Sequence, residues 1–273
     1  MSEEEVPGGD PLARPRRLEP ARLWLTGHGL ADVEPTSVLA ARLGVRQRAR
    51  VVASIVLAAF LIGIALAYVS TLPVDTTVES DRTRSLWVLA AMVVGVVLAQ
   101  VLLDRWVRRV DRRVGATLAR RAALPVRLGW RTVLGVPRAA VAAGTVAGAA
   151  VMAFAGLAVS DPGANYAAVL LLLGLCGVVV ATLVQLHHIL TRPAVADDED
   201  SLTVDVLLRV EDAREAAAPT VVWSLPVVSV LATAPGWWIA AWLGFIVLGV
   251  AAFLVVTWRT RSSAAVARLA TAR

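Results

Sequence analysis

Apolar residues in this chain fall in long unbroken blocks rather than at strand or amphipathic-helix spacing. Six blocks, 51–70, 86–103, 139–160, 166–190, 216–234 and 237–258, contain no Arg, Asp or Glu. About 20 helical residues cross a bilayer core of roughly 30 Å, so each block predicts a transmembrane helix. Helices satisfy their own backbone polar groups in lipid, and no strand-like alternation suggests a closed barrel. The expected fold class is therefore all-α, an integral membrane bundle of six helices arranged as three hairpins. The fifth block differs from the others. Pro219 suits a first helical turn, but Pro226 removes a backbone hydrogen bond in mid-span and predicts a kink or break. Only Pro235-Gly236 separates this block from the sixth, which leaves a re-entrant pair as the alternative.

Composition strengthens this reading. The chain has 273 residues, of which 58% are hydrophobic and 18% charged, too few polar groups to cover a soluble domain of that size. The formal charge is +6, which on its own would suggest nucleic acid. All the basic residues are Arg, however, and most lie just outside the apolar blocks. Residues 1–50, 105–138, 191–215 and 259–273 hold nearly all of them, whereas the loops expected on the other side hold only Arg82 and Arg84. That asymmetry predicts both termini on the cytoplasmic side of a cell membrane. Aromatic anchors agree with it. Tyr68, Trp87, Tyr166, Trp237 and Trp238 would line the outer interface, and Trp106, Trp130, Trp223 and Trp258 the inner one. The opening Glu3-Glu4-Glu5 and the late first apolar block are unlike a secretory leader. The lone Cys176 excludes an intrachain disulfide.

The expected organisation is a cytoplasmic tail over 1–50, disordered in part and chiefly over 1–35, a transmembrane domain over 51–258, and a cytoplasmic tail over 259–273. Two cytoplasmic segments have opposite charge. In 104–124, Val107, Val110, Val114 and Leu118 recur at helical spacing among seven arginines, which predicts an amphipathic helix against anionic lipid headgroups, with the lipid-facing basic region extending over 105–131. In 197–215, eight acidic residues face Arg209 and Arg214. Asp205 stands four residues before Arg209, and Val204, Leu207 and Leu208 share a face, so a short amphipathic helix is expected. Its acids are expected to dock on the basic 105–138 loop or on a protein partner. Leu39–Val45 resembles the helix-to-turn portion of bacterial helix-turn-helix domains. It runs almost at once into the first apolar block, which leaves no soluble recognition helix, and no nucleic-acid partner is expected.

Candidate chemistry is sparse. No ionisable residue other than Cys176, Tyr68, Tyr166 and the two histidines ending the fourth block lies within the six blocks, whereas proton- or ion-coupled transporters carry their charges there. His187 and His188 are adjacent and point to different helix faces, a poor start for a metal site. No phosphate-binding glycine loop and no Gly-x-Ser-x-Gly elbow occur. No catalytic residue, cofactor or metal is expected. Gln100, Thr145, Thr182 and Gln185 are uncharged polar residues of the inner half and could together line a polar vestibule. Gly144 and Gly148 make a small-xxx-small step that predicts a close helix-packing face, within the bundle or between two copies. The favoured function is a non-catalytic membrane component that binds partners or lipids through its charged cytoplasmic segments. The alternative is a transport permease, or a permease subunit, for a small or apolar solute.

Overall fold

Apolar length decides the longest elements, and polar extensions carry two of them well beyond the membrane core. The computed structural model describes residues 13–70, 78–116, 129–192, 199–227 and 236–271, and every element among the described residues is helical. These elements are α1 (Ala13–Gly27), α2 (Ser37–Ser70), α3 (Val78–Ala116), α4 (Trp130–Val133), α5 (Val136–Leu157), α6 (Pro162–Thr191), α7 (Glu199–Ala216), α8 (Thr220–Ser224), a 3₁₀ turn at Leu225–Val227, α9 (Gly236–Arg259) and α10 (Ser263–Thr271). At 1.5 Å per residue, the 34 residues of α2 span about 50 Å. The Arg-rich first third of α2 therefore projects past the apolar stretch that follows it.

Among the described residues, five helices carry stretches long and apolar enough to cross a membrane: Ser37–Ala67, Trp87–Arg113, Val136–Leu157, Ala164–Thr191 and Gly236–Arg259. The fifth predicted block is not one continuous helix. Its described part is the short α8 followed by the 3₁₀ turn containing Pro226, because proline has no N–H for the carbonyl four residues earlier. Residues 228–235 lie outside the described part.

Helices α2 and α3 form one hairpin and α5 and α6 another, and α3 also packs on α6. The centre of the bundle is α6, whose most apolar stretch is 39% buried against 6–22% in the other four. Small residues bring its neighbours close. A Cβ on Gly174 would stand 2.9 Å from Val93 and 3.1 Å from Leu225, so α3 and the broken fifth segment meet over that glycine. Helix α9 runs antiparallel to α5, with Thr260 beside Arg138, Phe245 against Gly148, and Trp238 against Gly156. The chain between α7 and α9 starts beside Ala213, passes Leu225 in mid-bundle, and resumes in α9 at the Gly156 end.

A second layer caps one end of this bundle. Helix α7 forms its centre, and from Val204 to Val210 every residue is buried. Val206, Leu207 and Val210 pack with Val133, Leu134, Ile189 and Ala267. Val204 and Leu208 pack with Ala21, Leu25 and Leu39. Part of the tail expected to be disordered is thus an ordered helix, α1, whose Ala21 and Leu25 are buried against α7 and α2. Leu23 of the same helix is exposed. The chain's first and last described helices meet in this layer, where the Arg268 guanidinium donates to the Gly29 carbonyl at 2.6 Å.

Candidate functional site

The interface between the capping layer and the bundle holds a buried network of charges. It begins with spacing in sequence. Arg42, Arg46 and Arg50 recur every four residues, so they line one face of α2. Thr36 starts that helix, its hydroxyl accepting the Leu39 N–H at 3.2 Å. Across from this row stand Asp205, Asp212 and Glu215 of α7. Arg42 donates to Asp205 at 2.7 Å. Arg46 grips Asp212 with two bonds of 2.8 and 2.7 Å, and Arg50 reaches Glu215 at 2.8 Å on the exposed rim. Both rows ascend together, so this end of α2 and α7 run side by side in the same direction.

Two further helix ends join the network. Asp111 of α3 accepts from Arg46 at 2.8 and 3.1 Å and from Arg192, at the end of α6, at 2.7 Å. Arg209 closes back on Asp205 at 2.8 Å and donates to the Arg192 carbonyl at 2.9 Å. The four arginines 42, 46, 192 and 209 meet the three aspartates 111, 205 and 212, leaving one positive charge in excess. Asp205 is 0% exposed, Arg209 1%, Arg42 4% and Arg46 5%. Burial alone would push the Asp205 carboxyl upward, but Arg42, Arg192 and Arg209 overcome it and hold it below the usual carboxylate range. A network this buried contributes little net stability over an apolar core. Breaking one member is costly, because it strands a charge away from water. Its chemistry is therefore that of a clamp, with its carboxylates already committed to guanidiniums.

The acidic helix does dock within the chain, but on other arginines than those expected. Its described partners are Arg42, Arg46, Arg50 and Arg192, and the residue that 105–116 contributes to the network is an acid, Asp111. Arg105, Arg109, Arg112 and Arg113 stay exposed on α3, while Arg108 pairs with Asp104 one turn away. The four-residue Arg row was visible in the sequence. Its face could not be assigned without knowing that α2 continues unbroken through it. His28 adds a link from α1 to α7. Its Nε2 lies 2.8 Å from Glu211 and its Nδ1 2.7 Å from the Trp24 carbonyl. Both ring nitrogens thus face oxygen atoms of α1 and α7.

The residues singled out for a vestibule are placed differently. Thr145 is buried, and its hydroxyl donates to the Val141 carbonyl of its own helix at 2.8 Å. Gln100, Thr182 and Gln185 are half-buried on α3 and α6. A cavity of about 10 Å³ does lie in the bundle, roughly the room for one water, and it is lined by Ala149, Leu171, Leu175, Val222, Leu225 and Trp242. None of the four polar residues lines it. Of the two packing glycines, Gly148 is a close contact, where a Cβ would stand 2.5 Å from the Phe245 ring of α9. Gly144 is exposed, and among the described residues nothing would stand within 4 Å of a Cβ there. No protein-family model matches the chain, and no curated protein or solved structure is significantly similar to it.

Proposed function

We propose that this protein is a non-catalytic component of the cytoplasmic membrane that holds a rigid, positively charged platform against the inner leaflet and acts by binding anionic lipid there. The observation that carries this reading is the buried clamp. It ties the ends of α2, α3 and α6 to α7 and leaves Arg105, Arg109, Arg112 and Arg113 pointing outward. The lipid-facing region we propose extends over 105–131, of which 117–128 lie outside the described residues. A protein partner at 197–215 would meet the rim of that segment, such as Asp200 and Glu215, since Asp205, Glu211 and Asp212 are paired inside.

We place six crossings in the membrane with both termini in the cytoplasm. Three observations support this topology. The arginines cluster at the capped end, α1 and α10 meet there, and α9 begins at the end opposite Ala213. The last implies a fifth crossing between α7 and α9, whose described part, 217–227, is broken. Against the permease alternative stands the small apolar cavity, which none of the polar candidates lines.

The test has two arms. In a Cys176→Ala background, single cysteines replacing Asp32 or Ser262 should resist a membrane-impermeant maleimide in intact cells, while one replacing Ser160 should react. Protein extracted in mild detergent should retain anionic over zwitterionic phospholipid by native mass spectrometry, and Gln at positions 105, 109, 112 and 113 should reduce that excess. Equal retention of both lipid classes by the native chain would sink the reading.

A further inference from the structure

A second group of arginines makes no ion pair among the described residues. Arg138 is the third residue of α5, Arg214 lies in the last turn of α7, and the turn joining α9 to α10 brings both together. Arg138 donates from Nε to the Thr260 hydroxyl at 3.0 Å. Arg214 donates to the Ser263 hydroxyl at 2.9 Å and to the Arg261 carbonyl at 3.0 Å. Arg259 and Arg261 flank Thr260 and are exposed. Among the described residues, no carboxylate oxygen comes within 4.0 Å of any of these four guanidiniums. Of the acids nearest Arg214 in sequence, Glu215 is engaged by Arg50, Asp212 by Arg46 and Glu211 by His28.

This corner contrasts with the clamp beside it, where each aspartate is answered by arginines. Here burial, and then the neighbouring Arg138 guanidinium, lowers Arg214 to about 10, with Glu211 opposing. Two polar atoms are also buried without partners, Arg214 Nε and, one turn before Arg261, the Thr257 hydroxyl. The start of α5 adds a third donor set. Its N-cap, Gly135, offers no side-chain acceptor, and a helix of 22 residues presents its free N–H groups and positive dipole end at that point. Trp258, 81% exposed at the end of α9, has the amphipathic ring that settles at headgroup depth.

We infer that this corner, formed by Arg138, Arg214, Arg259, Arg261 and the first turn of α5, is a binding site for a phosphate-type anion, presented as the headgroup of an anionic phospholipid. The Arg138 and Arg214 guanidiniums, brought to one turn of chain, can only donate, the complement of a phosphodiester that only accepts. The lipid as the source rests on the membrane placement proposed above. The charge geometry does not, and the site is separate from the exposed arginines of α3.

The experiment uses the full chain, delipidated in maltoside micelles and titrated at fixed ionic strength. The probes are short-chain phosphatidylglycerol, phosphatidylcholine, and inorganic phosphate. Binding is read by native mass spectrometry and by the shift in melting temperature. Phosphatidylglycerol should bind saturably and raise the melting temperature, and phosphatidylcholine should not. Arg138→Gln with Arg214→Gln should weaken that binding about tenfold or more, while Arg105→Gln with Arg109→Gln leaves this site unchanged. Removing two uncompensated charges should leave the lipid-free melting temperature as high as the native value. Lys at both positions keeps the charge and should restore part of the affinity, which guards against a folding artefact. Inorganic phosphate reproducing the full shift would overturn the lipid as source. Binding indifferent to the Gln pair, or equal for both lipids, would overturn the site, even if lipid retention through α3 persists.

Discussion

Asp205→Ala tests whether the capping layer is held by its charges. Asp205 is 0% exposed and accepts from Arg42 at 2.7 Å and from Arg209 at 2.8 Å. Truncation removes the carboxylate that two guanidiniums, 4% and 1% exposed, share at the centre of the layer, and leaves Arg42 with Asp111 at 3.4 Å. Removing one partner of a buried ion pair costs about 3–5 kcal/mol. The exposed Arg50–Glu215 pair, about half open to solvent on both sides, is the internal control, and Glu215→Ala should cost about 1 kcal/mol or less. The two effects should be read by hydrogen exchange in lipid nanodiscs, on peptides covering 202–214 and 39–46. Asp205→Ala should raise exchange there by about two to three and a half orders of magnitude, since about 1.4 kcal/mol is tenfold, and leave the core of α6 protected. Asp205→Leu combined with Arg209→Leu should cost less than Asp205→Ala alone, because it removes a charge pair instead of stranding one. If Asp205→Ala changes protection no more than Glu215→Ala, the network is not what holds α7.

The clamp and the bundle interface predict two further outcomes. The Asp205 carboxyl is held below its ordinary range in the folded protein. Its contribution is therefore present above the unfolded value of about 4 and lost as pH falls through the depressed folded value. Exchange in 202–214 should rise on acidification below about pH 4, and Asp205→Asn should lack that component. At the bundle interface, Gly148→Leu drives a side chain into Phe245, where a Cβ alone would stand 2.5 Å away, and should cost roughly 1–3 kcal/mol by overpacking. Gly144→Leu faces open space and should leave the melting temperature in detergent near the native value. An equal loss for both would refute the assignment of the packing face to Gly148 alone.

Hydrophobic length made most of the bundle legible, because in a bilayer the backbone has only one economical way across. The blocks starting at 51, 86, 139, 166 and 237 each coincide with a long apolar helix. Pro226 marked the fifth as weak for the reason the structure displays, a missing N–H. Which helix lies at the centre was not legible. The glycine step at 144 and 148 drew attention to α5, yet α6 is the most enclosed, since enclosure depends on neighbours and not on a helix's own residues.

The charged layer divides in the same way. Sequence alone determined that 197–215 is an acidic helix, that Asp205 and Arg209 share its face, and that Val204, Leu207 and Leu208 share an apolar one. All of these follow from the period of one helix. Only the tertiary structure decided that the acids of α7 meet the arginines of α2 and α6 instead of those of α3, that Asp111 is the acid α3 contributes, and that Arg138 and Arg214 are left facing each other. Charge pairing acts over a few ångströms between residues as distant in the chain as Arg46 and Asp212, 166 apart. Local pattern carries no information about which of many similar arginines will be brought within reach.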